Sequence, residues 1–524
     1  VDVDPTWPPG KRANFRIVHR LKDGIQNDVV SAIADKLNKT DLIQNNDGLL
    51  SLDLPKDVTH PGAIKTLNED LLPAMKEVGD KFGSGELILP FVLKSAECMK
   101  ASVGELEKYL VKEEGTSKGK LVLGTVYGDV HDIGKNLVKT IFQNNGYSVY
   151  DLGKQVPLQK FLEKIDEVKP DAIGLSALLV STSKQMKFFV EHARKNNMTV
   201  PILCGGAAIN SNYINRIAKE GGIYDPGVFY CNTMFEGLKT MDTLISDDKP
   251  KLLEEWKTKL ENWKERTNTP VDPSTLPRSN VQTVDPPTPK IIGEPIRLKL
   301  DQINMGEVWT MIDKKSLFKL SWGLRGKAGA ESEEEHEQLL TEWKIRIIRD
   351  KLIEPEVVYG YFKCHNAGQK LLVENPSGDD VEFDFPRSTK PEHLCLTDYF
   401  GTDDVVAFQS VTVGTKVSDV LETWNDEDKY TDAYYLHGLA VELAEALAQW
   451  INQKIKSELN LVKGALRYSW GFPSCPDVSQ HHLVWKLLEP EKSGMTLTES
   501  GQIIPEQSTA AIVIHHPDAK YFVI

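Results

Sequence analysis

Between residues 12 and about 112 apolar side chains recur every three or four positions, a spacing that predicts helix throughout. Ala13 to Lys22 is a short amphipathic segment closed by Gly24, and Ile25 to Ile43 follows with Val29, Val30, Ile33 and Leu37. His60-Pro61 opens a long helix through Ile64, Leu67, Leu71, Leu72 and Met75. Lys81-Phe82-Gly83-Ser84-Gly85 breaks it, and Glu86 to Val111 is the last segment. Four antiparallel helices with short loops make a small bundle.

At Leu121 the period changes. Strand-like runs at Leu121–Tyr127, Ser148–Leu152, Ala172–Leu175, Pro201–Cys204 and Val228–Tyr230 alternate with helices centred on Leu137, Phe161, Met186 and Ile214, and a last helix spans about Thr233 to Leu244. Regular β-α alternation predicts a parallel sheet covered on both faces, Rossmann-like or flavodoxin-like. Glu113 to Lys120 is a polar linker into it. Lys249 to Arg266 is a charged helix, and seven prolines from Pro270 to Pro295 then exclude helix or inner strand. That interval reads as a stiff interdomain tether. Ile296 to Ile524, rich in Trp and Tyr, reads as an α+β domain containing a long helix from Tyr434 to Glu458.

Ligands of open parallel sheets bind beyond the carboxyl ends of the strands, and three of those ends carry unusual residues. After the first strand comes Gly128-Asp129-Val130-His131-Asp132-Ile133-Gly134. A carboxylate two residues before the imidazole can orient and polarise it, which is how a protein tunes a single nitrogen ligand to a metal. An ordinary solvated loop pair is the plainer alternative. The third strand runs into Ser176-Ala177-Leu178-Leu179-Val180-Ser181-Thr182, and the fourth into Gly205-Gly206-Ala207, where missing side chains let a bulky ligand approach the backbone. In the C-terminal part, Arg467 precedes a proline-locked aromatic loop, Tyr468 to Asp477. Guanidinium suits a carboxylate, and an acidic group elsewhere suits an ammonium, so the two together fit a zwitterionic amino acid.

Charge and cysteine content narrow the class. With 62 Lys and Arg against 76 Asp and Glu the net charge is −14, which argues against nucleic-acid binding. There is no apolar run of bilayer length and no signal-like N-terminus. Six scattered cysteines without a C-x-x-C pair suit reduced thiols and a cytoplasmic setting, and exclude a cysteine-pair zinc site.

The Asp129-x-His131-x-x-Gly134 pattern, followed by the Ser176–Thr182 loop and Gly205-Gly206, resembles cobalamin-binding domains that hold the cofactor with its own base displaced. Val78-Gly79-Asp80-Lys81-Phe82 through Leu89-Pro90, and Arg467-x-x-x-Gly471-Phe472, extend the resemblance to the cobalamin-dependent methionine synthase family. It covers nearly the whole chain and implies a helical cap domain (1–112), a cobalamin domain (113–248), a linker (249–295) and an S-adenosylmethionine-binding activation domain (296–524).

The resemblance further implies that His131 is the lower axial ligand of cobalt, linked through Asp129 to Thr182 in a proton relay; the family has Ser at that last position. Gly128, Asp132, Ile133 and Gly134 accompany them, and Ser176, Leu178, Val180, Gly205, Gly206 and Ala207 surround the nucleotide tail, with Val180 replacing the usual Thr. Phe82, Leu89 and Val92 would shield the cobalt–methyl bond of methylcobalamin. Asp313, Glu445, Arg467, Gly471, Phe472 (Tyr in the family) and Tyr521 would bind S-adenosylmethionine. The implied enzyme is a methyltransferase of methionine synthesis that passes methyl from methyltetrahydrofolate to homocysteine, with S-adenosylmethionine remethylating the cobalt after oxidation. Flavodoxin or a similar donor supplies the electron for that repair. Folate and homocysteine modules, the latter with its zinc, are expected on the same or a separate chain, so this chain alone should perform remethylation but not full turnover. The chain starts at Val1 rather than Met, as a processed or excised piece would. A non-catalytic corrinoid carrier would share the first two domains but not residues 296–524. A cobalamin light sensor would need a DNA-binding module, and a mutase a separate substrate barrel.

Overall fold

The structure is a computed structural model and describes residues 2–40, 42–111, 117–264, 272–324 and 333–524. The expectations placed on 113–116, Arg266 and Pro270 lie outside them.

The N-terminal helices are α1 (Pro9–His19) and α2 (Ile25–Lys36), a short ladder of β1 (Ile43–Gln44) with β2 (Leu50–Ser51), then α3 (Lys56–Thr66), α4 (Leu72–Gly83) and α5 (Leu89–Leu106). Helix α2 stops seven residues before the expected Ile43. Asn38 takes a left-handed φ of 54° and the Lys39 N–H returns to the Ala34 carbonyl, which closes the last turn. The next helix starts after Pro55, a turn earlier than His60-Pro61, and Pro61 is carried inside it. A widened turn, Leu67–Leu71, then leads into α4, where Pro73 has no N–H to offer the preceding turn. Val29, Val30, Ile33, Met75, Val78 and Val92 are fully buried together, as the apolar spacing requires.

The parallel sheet contains β3 (Lys120–Thr125), β4 (Ser148–Asp151), β5 (Ala172–Ser176), β6 (Ile202–Gly205) and β7 (Val228–Tyr230) in the order β4-β3-β5-β6-β7. Its helices are α6 (Ile133–Asn144), α7 (Leu158–Val168), α8 (Val180–Lys195), α9 (Ser211–Lys219) and α10 (Met234–Leu244). All five expected strands are present, each within a few residues of its expected bounds. The order reverses between β3 and β5, so the loops following those two strands diverge and leave a crevice at the carboxyl edge. Helix α11 (Lys249–Asn262) lies back on this sheet. Leu260 is buried, and Trp256 donates its indole N–H to the Val228 carbonyl at 3.1 Å. Beneath α6, the Lys135 ammonium is buried and bonded to both Asp151 carboxylate oxygens at 2.6 and 2.7 Å.

The C-terminal region starts with β8 (Ile296–Leu298), α12 (Met305–Thr310), α13 (Lys314–Ser316) and α14 (Glu333–Arg349). Then follow β9 (Glu356–Ala367), β10 (Lys370–Val373), β11 (Val381–Asp384), β12 (Asp404–Thr412), α15 (Lys416–Asp426), α16 (Tyr430–Glu458), β13 (Leu466–Ser469), α17 (His481–Leu488), β14 (Thr496–Leu497), β15 (Ile503–Ile504) and β16 (Ser508–Ile514). An antiparallel sheet in the order β11-β10-β9-β12-β16-β13, with β8 on β9, carries the long α16 on one face and α17 on the other. The proline-rich interval is partly sewn to this region. Pro273 accepts the Gln369 amide, Gln282 accepts the His516 ring, and Arg278 and Ser279 reach Asp398, itself held by Arg387. Among the described residues no helix is long and apolar enough to cross a membrane.

His481, on α17, is buried between the Trp470 and Trp485 rings with Nδ1 2.6 Å from the Gly501 carbonyl. Burial lowers its pKa to about 4, against the hydrogen bond that raises it. Unfolded His titrates near 6.5, so between pH 6.5 and 4 the unfolded chain holds a proton that the folded chain does not. His481 therefore costs no stability above pH 6.5 and destabilises progressively as pH falls towards 4. The penalty approaches about 3 kcal/mol at the lower limit. Thermal unfolding of wild type and His481→Gln should show midpoints whose separation changes in the variant's favour across this window. A constant separation would contradict the assignment.

Candidate functional site

Strand β3 ends at Thr125, whose hydroxyl donates to the His131 carbonyl at 3.1 Å and folds the next six residues back on the strand. Gly128 at the corner has φ 79°, the left-handed region where glycine is at ease. Asp129 is thereby fully buried. Its Oδ1 accepts the His131 backbone N–H at 3.1 Å and lies 2.8 Å from His131 Nδ1. Its Oδ2 accepts the Leu178 N–H and the Thr182 hydroxyl, both at 2.7 Å. Burial alone would raise the pKa of this carboxyl, but the bonds from His131, Thr182 and Leu178 overcome it and leave it lowered. Burial likewise opposes charge on His131; Asp129, Glu506 and Asp132 outweigh it and raise its pKa. The expected chain His131–Asp129–Thr182 is therefore a continuous set of hydrogen bonds, with Thr supplying the hydroxyl.

Register brings the remaining cradle residues to the same edge. Thr125 pairs with Ser176, and Ser176 with Gly205. Gly206 has φ 127°, and a Cβ there would lie 1.9 Å from the Ala177 carbonyl oxygen, so only glycine lets the loops after β5 and β6 meet. Leu178 and Val180 are 37% and 73% exposed beside this crevice, apolar surface suited to a bulky ligand. A Cβ on Gly134 would meet open space, so the start of α6 is uncovered too. Residues 128–134 and 176–182 and the Gly205-Gly206-Ala207 turn thus form one crevice around one oriented imidazole.

Phe82, Leu89 and Val92 are placed elsewhere. Phe82 stacks obliquely on Phe235 of α10 at 5.2 Å, Leu89 lies beside Gly323, and Val92 is interior to the helices. The face above His131 is occupied by the C-terminal region. The β14–β15 hairpin holds the loop through its backbone: Gln502 Oε1 accepts the Val130 N–H at 3.0 Å and Ser500 donates to the Gly128 carbonyl at 2.8 Å. Tyr127 donates to Glu499. His437 of α16 lies 3.7 Å from Glu506, and both groups act electrostatically on His131. Sequence reading missed these five residues, because a docking contact between positions some three hundred apart leaves no local period. The polar Thr498-Glu499-Ser500-Gly501-Gln502 turn was the available signal.

A cavity of about 450 Å³ opens in the C-terminal region, lined by Glu445, Arg467, Tyr468, Ser469, Phe472, Pro473, Ser474, Cys475, Tyr521, Phe522 and Val523. This is the size of a small-molecule site. Arg467 pairs through Nη2 with Glu445, and Tyr521 donates to the Arg467 carbonyl at 3.2 Å. Gly471, φ 94°, turns the loop so that its N–H reaches Cys475 and Phe472 faces the cavity. Five of the six expected residues are therefore at one place. Asp313 is not in the lining; it caps α13 through the Lys315 and Ser316 N–H groups at 3.0 and 3.1 Å. The Ser316 and Ser321 hydroxyls bond Glu442, a buried carboxyl whose pKa burial raises. Glu445 follows His437 on the same helix by eight residues, about 12 Å of rise.

Residues 304–524 match the family described as vitamin B12 dependent methionine synthase, activation domain. Residues 119–239 and 16–107 match two families each described as B12 binding domain. Methionine synthase of Mycobacterium tuberculosis is 34% identical over 537 residues, covering 90% of this chain and 44% of that protein. Methionine synthase of Mycobacterium leprae is 34% identical over 544 residues, covering 90% and 45%. The chain thus spans less than half the length of these relatives. The crystal structure of the MetH reactivation domain bound to AdoHcy aligns with a TM-score of 0.40 and 21% identity, over 46% of this chain and 83% of that one.

Proposed function

We propose that this chain is the cobalamin-carrying and reactivating portion of a methionine synthase, a cytoplasmic methyltransferase of methionine synthesis. The observation that carries the reading is the buried His131–Asp129–Thr182 chain beneath an exposed apolar crevice, in a segment matching a B12 binding domain. The division into cap (1–112), cobalamin domain (113–248), linker (249–295) and activation domain (296–524) is supported by the three family matches and by the change of architecture at each boundary. The strand order, with its reversal between β3 and β5, supports a flavodoxin-like cobalamin domain.

The donor set fits cobalamin: one imidazole with Nδ1 committed to a carboxylate leaves Nε2 for cobalt, and the glycine turn leaves room for a tail. When bound, cobalamin supplies the cobalt centre that accepts and releases the methyl group. The chain's own residues do the rest. Asp129 fixes the tautomer of His131 and favours its protonated form, while Thr182 and the Leu178 N–H hold the carboxylate in place. Protonation of His131 makes it a poorer ligand, so the relay sets how readily it lets go. The hairpin around Ser500 and Gln502 holds the loop, and α16, whose His437 lies beside Glu506, carries Glu445 of the second cavity eight residues further on. In that cavity Arg467 would take the carboxylate of S-adenosylmethionine and Glu445 its ammonium, with Phe472 and Tyr521 beside the remainder. A small electron donor such as flavodoxin, and folate- and homocysteine-binding modules, are the implied partners.

The deciding test is the visible spectrum of the protein with cob(II)alamin, before and after S-adenosylmethionine and a reducing system. Conversion to the methylated form supports both sites and their coupling. Binding without conversion would favour a corrinoid carrier, and no binding would sink the reading. His131→Gly should alter the spectrum of the bound cofactor; an unchanged spectrum would remove the ligand role.

A further inference from the structure

We propose that His481 is the positioning residue for the hairpin that grips the His131 loop: through the Gly501 carbonyl it aims Ser500 and Gln502 at the peptide groups on either side of Asp129. The grip matches two three-residue segments. Ser500 donates to the Gly128 carbonyl at 2.8 Å, and Gln502 Oε1 accepts the Val130 N–H at 3.0 Å. Gly501 stands between the first two residues as Asp129 stands between their partners.

The hairpin cannot aim these contacts by itself. Its ladder is two residue pairs, Thr496 with Ile504 and Leu497 with Ile503, and so short a ribbon is marginal on its own. Thr498 shapes the turn from inside. Its N–H donates to the Gln502 carbonyl at 2.9 Å, and its hydroxyl accepts the Gln502 N–H at 3.1 Å and lies 2.9 Å from the Ser500 hydroxyl. Those bonds travel with the hairpin and leave its direction open. From outside, His481 Nδ1 lies 2.6 Å from the Gly501 carbonyl. A carbonyl only accepts, so Nδ1 carries the hydrogen. The tip also lies against the residues that lead into α17: Gly501 has φ 84°, and a Cβ there would be 2.4 Å from the Val478 carbonyl oxygen.

The mounting of His481 is rigid. Its ring is 5% exposed, with the Trp470 and Trp485 rings 5.5 and 6.0 Å away, and Trp470 stacks on Phe408 of β12. One residue earlier, Gln480 donates to the Asp384 carbonyl at 2.6 Å and ties the start of α17 to β11. A path of short contacts thus runs from the antiparallel sheet through His481 and Gly501 to the backbone around Asp129, whose carboxylate orients the His131 ring. That this ring is a cobalt ligand rests on the function proposed above; the path itself does not.

The test uses the full chain without cobalamin, so its failure is separable from failure of the cobalamin reading. The readout is hydrogen exchange at the Val130 N–H, followed by mass on peptides spanning 126–132, with peptides of β12 as the control for folding. His481→Leu keeps the bulk and removes the donor, and should speed Val130 exchange about fivefold, the effect of one lost hydrogen bond. His481→Asn, whose amide nitrogen stands where Nδ1 does, should restore the wild-type rate; His481→Gln, whose amide reaches the Nε2 position instead, should not. In Ser500→Ala/Gln502→Leu the grip is already lost, so adding His481→Leu should speed Val130 no further. Packing alone would not distinguish Asn from Gln. Val130 exchange that is equal in His481→Leu and wild type, or equal in the Asn and Gln variants, overturns the proposal, and the second comparison decides it if His481→Leu does not fold.

Discussion

Arg467→Ala should lower remethylation by S-adenosylmethionine about 10²- to 10³-fold, while cobalamin binding and its spectrum stay as in the wild type. The guanidinium lines the 450 Å³ cavity and is fixed from one side by Glu445. Losing it removes a charge-assisted partner for a ligand carboxylate and leaves the Glu445 charge without its counterion. Arg467→Lys should recover only part of the loss, because an ammonium cannot reproduce a planar fork that serves two carboxylates at once. Single-turnover methylation with saturating reductant measures this directly. Equal losses in methylation and in cobalamin affinity would mean that the substitution had unfolded the region rather than emptied a binding site.

Asp398→Asn should destabilise the C-terminal region by about 3–5 kcal/mol. The carboxylate is fully buried and takes two bonds from the equally buried Arg387, at 2.5 and 2.9 Å, together with the Ser279 hydroxyl at 2.7 Å. Arg278 completes the set at 3.4 Å. Neutralising the acid strands a buried guanidinium, which costs far more than the pair contributes relative to an apolar substitute. Arg387→Met/Asp398→Leu should therefore be less damaging than Asp398→Asn alone, in urea midpoints of the same transition. Limited proteolysis should also cut the interval around Arg278 sooner in the single variant, since the same carboxylate holds that segment down.

How much of this could be read beforehand depended on how local the cause was. The five parallel strands followed from runs such as Leu121–Val126, because burial on both faces leaves an unbroken apolar run. The Asp129–His131 loop was legible for a similar reason: the two residues that must meet are two apart, and Thr182 follows a strand end on the same edge. Helix boundaries were less so. The end of α2 was set by Asn38 adopting a left-handed turn, a choice that the apolar spacing past it does not reveal. Of the residues expected by motif around a C-terminal ligand site, Glu445, Arg467, Phe472 and Tyr521 line the cavity, whereas Asp313 caps the start of α13. Least legible was the docking of distant regions. Nothing near Ile88 says that its cluster is built two hundred residues and more downstream, and nothing near Asp398 says that a proline-rich segment is fastened to it.

That fastening changes what the segment can do. Helix α11 is secured to the parallel sheet as far as Trp263, whose carbonyl accepts Lys219, and the chain is secured again at Pro273 by Gln369. Positions 263 and 273 are ten apart, so chain length alone limits the distance between these two anchors to about 35 Å. One copy confined to a sphere of that radius amounts to a local concentration on the order of 10 mM. Docking on the His131 loop is therefore insensitive to dilution of the protein. A separately produced C-terminal region would have to be supplied at millimolar levels to compete with the one already attached.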